Sequence, residues 1–166
     1  MTIRRWYDRI IIALVFVSFS VMLGAALIGT LARYLTFLPV ITWGEEVTRF
    51  AGIWSVFLVS GLSIRRGAHL GVDMFTRLMT PKIQRLVALA VFLMVLGFVL
   101  ILLVYGIVLS ADNLAQISPA LEWRMGLVYL CIPIGAALMS FELVIVIIHV
   151  LRRGMPPPPP ADASPA

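Results

Sequence analysis

The sequence predicts an all-α integral membrane protein: four transmembrane helices, both termini cytoplasmic, and a short interfacial amphipathic helix between helices 2 and 3. Three observations carry this. The 166 residues are 61% hydrophobic and only 13% charged, too few charges to coat a globular surface. Mean hydropathy is +1.05. Four segments, about 10–32, 43–64, 86–109 and 126–148, reach the roughly 20 residues that a bilayer crossing needs.

Helix 1 starts behind Arg4, Arg5 and Arg9, with Trp6 and Tyr7 as interface markers. The charge-then-apolar order resembles a secretory signal, but Ile10–Ala32 is longer than the 7–15 residues of a signal core, so a retained helix is expected. Helix 2 poses a length problem. Phe50–Ile64 supplies only fifteen strongly apolar residues, and counting back to Trp43 completes the span. Its first turns then hold Glu45, Glu46 and Arg49 near the membrane surface, where charge is costly and calls for a partner. Helix 3, Leu86–Leu109, is bulky except at Gly97 and Gly106, so much of its circumference should face lipid. Helix 4 contains Pro133, a candidate kink.

Between helices 2 and 3, Leu70, Met74, Phe75, Leu78 and Met79 recur at helical spacing, and His69, Asp73 and Arg77 form a polar row. This predicts an interfacial helix over 69–80, ended by Pro81, with its basic residues near phospholipid head groups. Arg65, Arg66, His69, Asp73 and Arg77 together mark the cytoplasmic interfacial segment. Residues 1–154 form a single four-helix membrane domain, and 155–166 a disordered proline-rich cytoplasmic tail. The basic residues set orientation. They cluster before helix 1, between helices 2 and 3, and after helix 4, leaving Arg33, Arg49 and Arg124 opposite, so the Trp43–Glu46 end faces outward. That topology accounts for the +5 net charge without nucleic acid.

Small residues mark close-packing faces: Ser20, Gly24, Ala25 and Gly29 on helix 1; Gly52, Ser55, Ser60 and Gly61 on helix 2; Ala136 and Ser140 on helix 4. They fit one tight bundle or a docked second protein. Glu45 and Arg49 are spaced as a favourable i, i+4 pair, and Glu46 reaches Arg49 at i, i+3. The outer cluster is therefore either self-satisfied, or leaves one acid for a partner subunit or an ion. Trp54 lies roughly 16 Å below Trp43, and its indole N–H wants an acceptor. Glu142 is the other intramembrane acid, open to a structural ion pair with Arg65, Arg66 or Arg152 or to proton coupling. Cys131 is a lone cysteine in an apolar segment, and the two histidines have no metal spacing. With no phosphate-binding loop and no nucleophile or metalloprotease motif, neither an enzyme nor a cofactor is expected.

Four motifs in order are Trp43-x-Glu45-Glu46-x-x-Arg49, His69-Leu-Gly-Val-Asp73, Ser118-Pro119-Ala120-Leu121 and Tyr129-x-x-x-Pro133-Ile134-Gly135. On four helices, they resemble the small Q-type membrane subunit of tripartite ATP-independent periplasmic (TRAP) transporters over residues 10–150. The resemblance implies a scaffold that packs against a large membrane subunit and helps receive a periplasmic substrate-binding protein, for uptake of an organic acid driven by an ion gradient. It places Trp43, Glu45, Glu46 and Arg49 at a subunit interface, and gives His69 and Asp73 the task of fixing the cytoplasmic segment; Trp54, from its depth in helix 2, is read first as core packing and second as a subunit contact. The contrasting reading is a self-sufficient proton-coupled exporter using Glu142 or Glu45/Glu46.

Overall fold

A computed structural model describes residues 2–35, 42–67 and 80–153. Within them the helices are α1 (Thr2–Tyr34), α2 (Trp43–Gly67), α3 (Pro81–Asp112), α4 (Met125–Tyr129) and α5 (Cys131–Arg153), with no strand among the described residues. Four stretches are long and apolar enough to cross a membrane: Trp6–Tyr34, Trp43–Ile64, Lys82–Asp112 and Met125–Arg152. The protein is a multi-pass membrane protein.

Each helix overruns its hydropathic limits. Backbone hydrogen bonding does not stop where the apolar run stops, and arginine stems can lie along the helix while their charged heads reach water. Thus α1 begins at Thr2 rather than near residue 10, and α5 runs to Arg153 rather than 148. Pro81 opens the third helix, behind an extended Thr80, where its missing N–H costs nothing. The interfacial helix expected over 69–80, with His69, Asp73 and Arg77, lies outside the described residues, as does the 155–166 tail. Arg65 and Arg66 fall in the last turn of α2, and their side chains are outside the described set.

Pro133 accompanies an interruption of the helix. It has no N–H for the Tyr129 carbonyl, and the helix is interrupted at Leu130, between α4 and α5. Bonds on either side, Leu130 N–H to Gly126 and Ile134 N–H to Leu130, keep the two pieces in sequence as one crossing.

The packing is a row and not a closed bundle: α1 packs on α2, α2 on α5, and α5 on α3. The α5 crossing is therefore the most buried, at 44% of its window, against 17% for α3 and 11% for α1. Helix 3 faces outward as predicted, and α1 does so even more. The core lies between α3 and α5, around Ala88, Phe92, Val99, Ala136, Leu143 and Val150. Glycines set the close approaches there. A Cβ on Gly135 would lie 2.7 Å from Phe57 Cβ on α2, and one on Gly106 would lie 3.0 Å from the Pro133 ring. Gly24 and Gly29, by contrast, have open space where a side chain would point. The small-residue face of α1 is thus not used in full within this chain. At one end of the row, the Arg85 guanidinium donates to the Leu151 carbonyl, satisfying an orphan acceptor in the last turn of α5.

A carboxylate-clamped hairpin at the end of the bundle

Ile117 and Arg124 form an isolated antiparallel bridge that closes a short hairpin between α3 and α4. Ser118 N–H donates to the Trp123 carbonyl at 2.9 Å, and Met125 N–H to Gln116 at 2.8 Å. The turn reverses through Glu122, whose φ of 54° is left-handed. For a residue with a Cβ that conformation costs roughly 1–2 kcal/mol, which the surrounding hydrogen bonds must offset. Inside the turn, Glu122 N–H bonds back to the Ser118 carbonyl at 3.2 Å. Pro119 has no N–H, so Ala120 and Leu121 carry two backbone donors that need an acceptor.

That acceptor is Glu46 on α2. Its Oε1 accepts the Ala120 N–H at 3.1 Å and its Oε2 the Leu121 N–H at 3.0 Å. The Ser118 hydroxyl also bonds this carboxylate, while its Oγ accepts the Trp123 N–H at 3.3 Å. Arg49 lies near enough to add favourable charge. Glu46 is 7% exposed and Ser118 3% exposed. Three donors converging on one carboxylate make charge-assisted bonds, stronger than neutral ones. Two motifs 74 residues apart in the chain are therefore one unit in space.

This changes the reading of the outer acids. Glu45 pairs with Arg33 at the end of α1, at 2.7 Å, and not with Arg49 as helical spacing suggests. The pair ties α1 to α2 across the 36–41 connection. Glu46 has both oxygens engaged by the hairpin, so no surplus acid is left over at this cluster. What is exposed here is the pair itself, at 74% and 70% of the two side chains. Such a pair is worth little, so Glu45→Gln is expected to change unfolding free energy by less than about 1 kcal/mol, read by thermal or denaturant unfolding in detergent.

Trp43 is exposed at the start of α2, and Trp54 is half-buried in an apolar groove. Glu142 is 1% exposed on α5, ten residues before Arg152. That is about 15 Å along the helix at helical rise. The Tyr7 and Phe141 rings meet beside it at 6.2 Å, bringing the start of α1 against α5. Trp54 lines the same groove as Glu122, Trp123 and Arg124 of the hairpin. Among the described residues, no group of histidine, cysteine and acidic side chains could hold a metal. Cys131 is buried and free.

Sequence reasoning did not reach Ser118 as a functional side chain, nor Arg33 as the partner of Glu45. The one available signal was Pro119, whose turn strands two N–H groups beside an apolar helix start.

Comparison with known proteins fits this architecture. Residues 22–153 match the family model described as tripartite ATP-independent periplasmic transporters, DctQ component. A C4-dicarboxylate TRAP transporter small permease protein DctQ from Pseudomonas aeruginosa is 28% identical over 130 residues, covering 72% of this chain and 59% of that protein. One of the same description from Rhodobacter capsulatus is 32% identical over 123 residues, covering 69% and 51%. The chain thus aligns with between half and three-fifths of the length of these curated relatives. The family is one of transporter components, not enzymes. With the match spanning most of the sequence, from the second half of the first crossing through the fourth, the chain belongs to the DctQ family of TRAP transporter membrane components.

Proposed function

We propose that this protein is the small permease subunit of a TRAP-type secondary transporter. In this reading it scaffolds a large membrane subunit and helps dock a periplasmic substrate-binding protein, for ion-gradient-driven uptake of an organic acid. The family match over residues 22–153 carries the reading, and the relatives named for C4-dicarboxylates favour a small dicarboxylate as substrate. Both termini lie in the cytoplasm, which puts the hairpin and the Arg33–Glu45 pair on the periplasmic side. Glu46 acts there indirectly, by holding the hairpin in shape, while Trp43, Glu45 and Arg49 lie towards the partner. Arg65, Arg66, His69, Asp73 and Arg77 anchor the cytoplasmic side among phospholipids. Glu142 serves as a structural acid, buried against the core.

An open row of helices supports a scaffold role. Hydrophobic burial does not favour helix over lipid inside a bilayer, so association relies on close packing of small residues. The unfilled Gly24 and Gly29 positions on α1 offer such a surface. Gly29→Leu is expected to leave the stability of the chain alone within about 0.5 kcal/mol, while sharply reducing co-purification with the large subunit. Undiminished co-purification would move the contact off this face of α1.

The reading as a whole is tested by flux. Proteoliposomes holding this chain, the large subunit and the binding protein should accumulate dicarboxylate under an imposed ion gradient, and vesicles with this chain alone should not. Flux by the chain alone would overturn the proposal and restore the exporter reading, which the family match does not support.

A further inference from the structure

The two contacts of α1 leave an opening between them. Near its start, Tyr7 meets Phe141 of α5, and at its far end Arg33 bonds Glu45 of α2. Between these, α1 stands away from α4 and leaves a groove of about 720 Å³ floored by α2. Val17 and Val21 form one wall, Phe50 and Trp54 the floor, and Leu127 the other wall. Along α2 the lining runs from Val47 to Trp54, about 10 Å at helical rise. Charged side chains line it only at the hairpin end, where Glu122 and Arg124 stand exposed.

We infer that this groove is a phospholipid site, taking the upper part of one acyl chain along Phe50 and Trp54 and a zwitterionic head group at Arg124 and Glu122. The distribution of polarity argues for that occupant. Sites for small polar metabolites place polar groups among the apolar lining, to orient the ligand. Here the charges of both signs sit together at one mouth, and the shaft below them is apolar but for Ser18 and the Trp54 indole N–H. A phosphate beside the Arg124 guanidinium and an ammonium beside the Glu122 carboxylate match that mouth in sign. Arg124 makes no ion pair among the described residues, so its guanidinium is available. The exposed Trp123 between them is the residue type that settles at head-group level. The inference does not depend on the identity of the transported substrate.

The test uses the full chain in vesicles of phosphatidylethanolamine and phosphatidylglycerol, with a trace of the phosphatidylethanolamine carrying a diazirine on its acyl chain. After illumination, mass spectrometry should find label on Phe50–Trp54 and Leu127 severalfold above the outward face of α3 at Phe98, Ile101 and Tyr105. Filling the groove with Ala51→Trp should abolish that excess, with helix content and gel-filtration position unchanged. Val21→Trp, on the more exposed wall, serves the same purpose if Ala51→Trp does not fold. Arg124→Glu should reduce groove labelling while leaving the α3 background as it was. Equal labelling of groove and α3, or labelling indifferent to filling, would overturn the site. Loss of groove label on assembly with the large subunit would overturn it in favour of a protein occupant. Labelling unchanged by Arg124→Glu would overturn the head-group assignment.

Discussion

Glu46→Gln is expected to release the hairpin while leaving the four crossings assembled. The amide keeps one acceptor oxygen, but its NH2 would face a backbone N–H, so one of the Ala120 and Leu121 donors loses its partner. The remaining bonds also lose their charge assistance. Hydrogen exchange across 117–124 should accelerate, by roughly tenfold for each net hydrogen bond lost. Exchange in α3 and α5 should stay as it was, because their contacts lie elsewhere. Ser118→Ala should give a smaller acceleration in the same segment, since it removes a hydroxyl bond and keeps both backbone donors on Glu46. If Glu46→Gln leaves exchange in 117–124 unaltered, the carboxylate does not hold the hairpin. Under the proposed function, uptake with the binding protein should fall along with hairpin order, even where the chain is produced at its usual level.

The second large effect is steric. Gly135→Val is expected to destabilise the chain by about 1–3 kcal/mol or more, because overpacking a tight contact forces backbone shifts. The new Cβ would lie 2.7 Å from Phe57 Cβ and 2.9 Å from the Phe57 carbonyl oxygen. Neither atom belongs to a flexible side-chain end, so α2 and α5 must separate. Gly97→Val makes the internal comparison, since nothing lies within 4 Å of its new Cβ, and its effect should stay within about 0.5 kcal/mol. Unfolding midpoints in mixed micelles would compare the two. Equal midpoints would mean that the α2–α5 contact does not set stability.

These two effects show where sequence reading stops. Hydropathy located the four crossings, because a crossing must be apolar over a fixed length whatever it packs against. Pro133 marked helix 4 for a local irregularity, and the helix is interrupted at Leu130, because a missing N–H and a ring clash act locally. Small residues foretold close helix approach, and Gly52 and Gly61 do sit against Met22 and Leu138. Which small residues would be used was not legible. Gly24 and Gly29 look like Gly135 in a sequence, yet only Gly135 has a neighbour. Helix order was equally hidden: α3 is apolar on every side, so periodicity marks no buried stripe that would place it beside α5.

The sequence by itself determined that this is a four-crossing membrane protein, where each crossing falls, and that two acids and an arginine open the second helix. Only the tertiary structure decided what those charges do. Spacing along one helix offered Arg49 to Glu45, but Arg33 arrives from α1 and takes it. Glu46 bonds Ala120 and Leu121, 74 and 75 residues away. The physical reason is that a local pattern ranks partners on the same helix, whereas a carboxylate at a membrane surface is claimed by whichever unsatisfied donors the fold brings nearest. Backbone N–H groups in a proline turn are such donors, and they carry no mark in the amino-acid sequence.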